Sequence, residues 1–451
     1  MRLNMDMNLR HLVIAAACVA LPVQLSAKSW TLKACIDYAM QNNITLQKNR
    51  LTKVSATEDI KESQAALLPS LSFSTSQNVS YNPWPQSNSS IVAGNRVQSS
   101  VDKAYYNGSY SLSTNWTVWN GNRNHNQVKL NKYAEQQADL TVATYANSLT
   151  EQISQLFVQI LYSDEAIKVN RESLATSTKN EERGKEMFNV GKMSKADLAQ
   201  LTAQRAQDEY AVVQAESNLK EYKRQLKQLL QLTNGEDFDV TVPETTDEMA
   251  LEQIPTLNSV YDQAVAMRPE IKNAELGVES SELNIKIAKA LRLPTVGVSA
   301  GVSTNTTSMN KSGWDRQMKN NFTLGGGINI SVPLFDNRQA KTAVTKAQIQ
   351  RQNYLLDLKD KQTALYSAIE NYWLQANNNQ SMFKSARIST ESAKESYNLL
   401  SEQFRLGLKN IVELMNGKDQ LLKAEQNELQ SKYLAILNIN MLKFYEKGSI
   451  K

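Results

Sequence analysis

Residues 188–198 read FNVGKMSKADL and residues 404–414 read FRLGLKNIVEL, so that Phe188, Gly191, Asp197 and Leu198 fall on Phe404, Gly407, Glu413 and Leu414 at a constant offset of 216. Nothing else constrains the fold as strongly, because the match extends along nearly the whole chain and calls for two like halves. Leu32, Asp37, Ala39 and Leu46 align with Leu257, Asp262, Ala264 and Ile271 at an offset of 225, as LLPSLSF (67–73) does with RLPTVGV (292–298). TVWNGNR (117–123) then meets PLFDNR (333–338) with the offset near 216, which puts the nine-residue difference between Pro69 and Trp119. Each half reads as helix, strand, loop, strand, long helix, short Gly segment, helix.

The strands carry a period of two. In SLSFSTSQNVSY, Leu71, Phe73, Thr75, Val79 and Tyr81 alternate with Ser70, Ser72, Ser74, Ser76, Asn78 and Ser80, which gives one apolar and one small polar face. The pattern returns in YSLSTNWTVW (110–119), with Val296, Val298, Ala300 and Val302, and with Phe322, Leu324, Ile328, Ile330 and Val332. Four strands are predicted, at about 70–81, 109–119, 295–304 and 321–333, of a length that suits a tilted outer-membrane strand. Tyr81, Trp84, Tyr105, Tyr106, Trp116, Trp119, Trp314, Phe322 and Phe335 cluster near their ends, as an interfacial girdle requires.

Four strands cannot close a spanning barrel, and an open edge in lipid leaves backbone groups unpaired. The barrel must be shared between chains: three copies give 12 strands, two give a narrow barrel of eight. The rest is helix. Residues 122–187 and 338–403 hold no proline and one glycine, Gly184, and at about 1.5 Å per residue each runs on the order of 100 Å. After the first Gly segment, Leu198, Leu201, Val212, Ala215, Leu219, Tyr222, Leu226 and Leu229 step by threes and fours, broken only at Arg205 and Asp208. That is a coiled-coil seam. The expected division is a signal peptide (1–27), a first repeat (28–232, hairpin from about 121), an acidic irregular connector (233–255), a second repeat (256–446, hairpin from about 338) and a tail (447–451).

The ends and the composition narrow the function. Arg2 and Arg10 precede the apolar run LVIAAACVALPVQL, which predicts an export signal cut between Ala27 and Lys28. Cys18, closing AAAC, raises a lipoprotein alternative. Beyond the signal no stretch is apolar enough for a spanning helix. Fifty Lys and Arg against 45 Asp and Glu leave a net charge of +5, with no basic stripe for nucleic acid. After cleavage one cysteine, Cys35, and one histidine, His125, remain, which rules out an internal disulfide and a two-Cys, two-His zinc site. Cys35 is expected to pack in a core and His125 to be solvated. No nucleophile elbow, zinc-protease or Walker motif occurs, and neither enzyme chemistry, cofactor nor metal is expected.

In its duplicated order, in AMQNNITL (39–46) with its partner AMRPEI (266–271), in LLPSLS before the first strand, VPLFDN after the fourth, and the paired F-x2-G segments, the chain resembles the outer membrane efflux (TolC) family. The resemblance implies a mainly α fold with a membrane β-barrel, in which long coiled-coil hairpins stand below a shared 12-stranded trimeric barrel. It implies an outer-membrane location reaching into the periplasm, with a periplasmic adaptor, an inner-membrane pump and lipid as partners. The role implied is export of small toxic compounds, with export of a secreted polypeptide as the alternative; a non-channel periplasmic adaptor and a stand-alone porin are the rival classes. VGKMS (Val190, Gly191, Lys192, Met193, Ser194) and LGLKN (Leu406, Gly407, Leu408, Lys409, Asn410) match the adaptor-docking tips. Glu413 matches an acidic ring position, Lys409 a basic latch and Asp197 its acidic partner. Asn416 stands where some members carry a second carboxylate.

Overall fold

The computed structural model describes residues 29–84, 88–92, 95–99, 102–233, 238–243 and 245–448, without side chains between 85 and 101. The signal segment with Cys18, Ala27 and Lys28 lies outside the described residues. The first half runs β1 (Ser29–Trp30), α1 (Leu32–Asn42), α2 (Ile44–Ala65), β2 (Ser70–Tyr81), β3 (Asn88–Val92), β4 (Asn95–Ser99), β5 (Ala104–Trp119), α3 (Arg123–Asn189) and α4 (Lys195–Leu229). A linking stretch carries β6 (Asp239–Val240) and α5 (Asp247–Ala250). The second half follows with α6 (Leu257–Met267), α7 (Pro269–Ala290), β7 (Thr295–Thr307), α8 (Trp314–Asn320), β8 (Thr323–Ser331), α9 (Gln339–Arg405) and α10 (Ile411–Lys447).

The duplication is kept in the fold. α3 and α9 are both 67 residues long, about 100 Å at 1.5 Å per residue. Their entries match too: Gly121 and Asn122 have φ of 67° and 62°, Asn337 and Arg338 of 50° and 69°. Two successive left-handed residues turn the chain into each long helix. Core positions also repeat, since Leu149, Ile153, Ile160 and Leu226 of one cluster correspond to Leu365, Ile369, Ala376 and Leu442 of another. Cys35 is fully buried in the first cluster, and burial pushes its thiol up to about 12, far from a reactive thiolate.

Close helix packing comes from two buried rows at heptad spacing, one of isoleucines and one of mostly small residues. Ile153, Ile160 and Ile167, and Ser163, Asn170, Ser177 and Gly184, are buried along α3 at intervals of seven. A Cβ on Gly184 would lie 2.5 Å from Leu201 Cδ1, and one on Gly417 would lie 2.6 Å from Leu400 Cδ1. At the offset of 216, Gly184 corresponds to Leu400 and Leu201 to Gly417. Each hairpin therefore spends one leucine and one glycine on this contact, on opposite helices, and the pair volume is conserved. A second exchange sits at the helix junctions. Asn43 caps α2 and donates to the Leu229 carbonyl at 3.2 Å, tying it to the end of α4. Its counterpart Arg268 instead stacks its guanidinium 3.9 Å from the Tyr445 ring centroid at the end of α10.

β2, β5, β7 and β8 form one antiparallel sheet in that order, so β2 and β8 have one neighbour each. Its register puts Phe73, Leu112, Val302 and Leu324 in one row and Ser72, Ser113 and Gly301 in a row of the opposite face. Phe73, Leu324, Ile328 and Ile330 are exposed, while Ser72–Ser113 and Ser74–Ser111 pair through their hydroxyls on the polar face. Among the described residues no helix is long and apolar enough to cross a membrane.

Three segments that read as loops or irregular chain have structure of their own. β3 and β4 pair within the first strand connection, and α8 lies in the second. In the linking stretch, β6 pairs with β1 in parallel, and Ala250 of α5 packs on Phe383 and Ile436. Lys432 pairs with Asp247 at 2.9 Å and Tyr433 Oη meets Thr245 Oγ1 at 2.9 Å. Asp247 and Glu252, which help make this segment look irregular in sequence, meet Lys432 and Lys443 of α10, nearly 200 residues further along the chain.

Candidate functional site at the hairpin tips

Both hairpins reverse through the same motif. Gly191 and Gly407 have φ of 75° and 74°. Lys192 N–H donates to the Met187 carbonyl and Gly191 N–H to Phe188; Leu408 and Gly407 do the same to Gln403 and Phe404, at 2.8–3.0 Å. This is the Schellman closure, which needs a left-handed residue at the turn. The next helices start on Ser194, which accepts from Asp197 N–H at 3.0 Å, and on Asn410, which accepts from Glu413 N–H at 2.9 Å. The acidic residue six positions past each glycine is therefore the third residue of a capped helix, favoured there by the cap and by the helix dipole. The two turns expose Val190, Leu406 and Leu408, the last at 71%, beside the cation Lys192.

Within one chain Asp197 and Lys409 are each satisfied on their own hairpin. Asp197 accepts from the Ser194 hydroxyl at 2.7 Å. Lys409 pairs with Glu413 one turn on, and Glu413 also accepts from Asn410 N–H at 3.2 Å, completing a capping box. The Lys409 hydrogen bond, then the Asn410 amide, hold the Glu413 carboxyl below its usual range. Because its folded pKa lies below the unfolded value of about 4.3, this contribution is complete above that value and is lost as pH falls through the folded one. Acidification below about pH 4 should loosen the second tip, read as faster proteolysis there, and Glu413→Gln should remove the pH dependence.

Deeper in the bundle lies a cluster that the sequence marks only as an irregularity. Asp208, which breaks the α4 seam, is 3% exposed and pairs with Lys418 of α10, itself 4% exposed. Lys418 donates to Ser177 Oγ of α3 at 2.6 Å, Ser177 donates to Asp208, and Gln204 Nε2 donates to Asp208 Oδ1 at 3.2 Å. Arg205, the other break, meets the buried Glu181 at 3.0 Å. Both exceptions to the apolar seam are thus ion-paired, and one of them joins the two hairpins.

A sheet with one exposed apolar face, continuous with two hairpins whose long helices run about 100 Å, defines an outer-membrane exit duct. The family model "Outer membrane efflux protein" matches residues 35–231 and 260–444, and the chain belongs to that family. "Outer membrane protein TolC" of Vibrio cholerae serotype O1 is 22% identical over 440 residues, 94% of each chain. "Outer membrane efflux protein BepC" of Brucella suis biovar 1 is 20% identical, covering 96% of this chain and 89% of its own. The fold matches that of the outer-membrane channel OprN with a TM-score of 0.76 at 15% identity, over 92% of this chain and 89% of that one. The chain is accordingly an outer-membrane protein reaching into the periplasm and a channel rather than an enzyme. The adaptor and porin readings fall with the family match.

Proposed function

We propose that three copies of this chain form the exit channel of a tripartite efflux system, with a shared 12-stranded barrel and a periplasmic tunnel that receives small toxic compounds from an adaptor and an inner-membrane pump. One observation carries the reading: a single chain links the lipid-facing sheet to capped tips that expose Val190, Leu406 and Leu408. Exposed apolar groups clustered at an end of the molecule are suited to a partner. Strands β2 and β8, with one neighbour each, give the physical reason for a shared barrel.

The test is a deletion strain profiled for sensitivity to small toxic compounds and for secreted polypeptides, with the mass of the detergent-solubilised channel measured in parallel. Sensitivity restored by the wild-type chain, and a trimer mass, support the proposal. Lost secretion with unchanged sensitivity would favour a protein-export duct. We further assign Asp197, Lys409 and Glu413 to the entrance gate, with Lys409 and Asp197 as latch partners across hairpins of the assembly. Exposed charge pairs are worth about 0–1 kcal/mol each, so three symmetric copies must act together. Lys409→Ala or Asp197→Ala should raise single-channel conductance in planar bilayers; wild-type conductance in both variants would remove the latch.

A further inference from the structure

Helix α8 does not hang free between β7 and β8. Gln317 is buried, accepts from Thr307 N–H at 2.8 Å, and donates through Nε2 to the carbonyls of Thr307, Asn310 and Ser312 at 2.7–3.1 Å. Asn321 Nδ2 donates to the Asn305 carbonyl at 2.7 Å. These bonds fix the helix against the end of the sheet opposite to the hairpins.

The register decides which face it covers. Thr75, Tyr110 and Thr304 form the row next to Phe73, Leu112, Val302 and Leu324, on the same apolar face. Thr304 Oγ1 donates to the Met318 carbonyl at 2.8 Å, and Trp314 meets Tyr110 edge-to-face at 6.3 Å. α8 therefore lies on the lipid side of the sheet, one row of about 7 Å beyond Phe73, Leu112, Val302 and Leu324. Trp314 remains exposed there, where interfacial aromatics belong.

The outer surface of this segment is basic. Lys311, Arg316 and Lys319 are exposed, with Asp315 the one acidic residue between Ser308 and Asn321. None of the three cations is in an ion pair among the described residues. Cations carried on a segment held in place beside an interfacial tryptophan, toward the outward end of a lipid-facing sheet, are complementary to phosphate carried at headgroup depth, and the Arg316 fork suits a phosphate in two-point contact.

We infer that Lys311, Arg316 and Lys319 form a binding site for the phosphorylated lipid headgroups of the outer leaflet, with Trp314 seated at the boundary of the acyl chains. The site rests on the outer-membrane location and not on the adaptor or pump. It anchors the rim of the barrel at a fixed depth.

The test uses the full-length channel in detergent and native mass spectrometry, with a phosphorylated diglucosamine lipid and its dephosphorylated form as probes. The wild-type chain should retain the phosphorylated form preferentially. Each cation removed in the series Lys311→Gln, Arg316→Gln, Lys319→Gln should lower that preference roughly fivefold, with assembly mass unchanged. Equal retention of both lipids by the wild type, or an undiminished preference in the triple variant, would overturn the site. Displacement by millimolar inorganic phosphate would reassign it to free anions and overturn the lipid assignment.

Discussion

Lys418→Met should destabilise the assembled channel by about 3–5 kcal/mol, the usual effect of breaking a buried ion pair from one side. The ammonium is enclosed between Asp208 and Ser177, and its loss leaves the Asp208 carboxylate buried with only the hydroxyls of Ser173 and Ser177 and the Gln204 amide for company. Hydrogen bonds do not replace the lost countercharge in a dry setting. The double variant Lys418→Met, Asp208→Leu should recover most of the loss, because an apolar pair of similar volume escapes the desolvation cost. The measurement is the thermal midpoint of the purified channel. A single variant that melts like the wild type, or a double variant as weak as the single, would show that the pair does not hold the hairpins together.

Gly191→Glu and Gly407→Glu should abolish export while leaving insertion and assembly intact. A Cβ at either glycine meets no atom within 4 Å, so there is no clash; the cost is the left-handed backbone, roughly 1–2 kcal/mol, confined to an exposed turn. What changes is the surface, where a carboxylate would stand between Leu406 and Leu408 or beside Val190. Asn at the same positions tolerates the left-handed conformation, and Gly407→Asn should retain more export than Gly407→Glu. Wild-type export by both glutamate variants would mean that the tips do not dock a partner.

Much of this was legible in the residues. The alternation Leu71, Phe73, Thr75 against Ser70, Ser72, Ser74 marks the strand faces because a pleated strand has a period of two. The glycines at 191 and 407 mark the reversals because only a left-handed residue closes that turn. Gly184 and Gly417, by contrast, look like unrelated exceptions until Leu201 and Leu400 are seen across from them.

Charges were less legible. The sequence comparison separates the tips by Lys409, which only the second copy carries, yet it cannot say whether Lys409 meets Asp197 or Glu413. Within the chain it meets Glu413, one helical turn away. Arg205 and Asp208 are visible as breaks in a seam, but Lys418 lies 210 positions from Asp208 and carries no local mark of its partner. Helix α8 is a similar case: its seven residues are too few for a helical period, and bonds from Gln317 to the backbone of a preceding turn hold it in place.

The sequence by itself determined the duplication, the helical and strand periods and the turns, because these depend on backbone preferences and on spacings of a few residues. The tertiary structure alone decided which buried charges pair, which glycine faces which leucine, and which face of the sheet α8 covers. Those outcomes depend on groups far apart in the chain, and burial and Coulomb energy are set only once the helices and strands have packed.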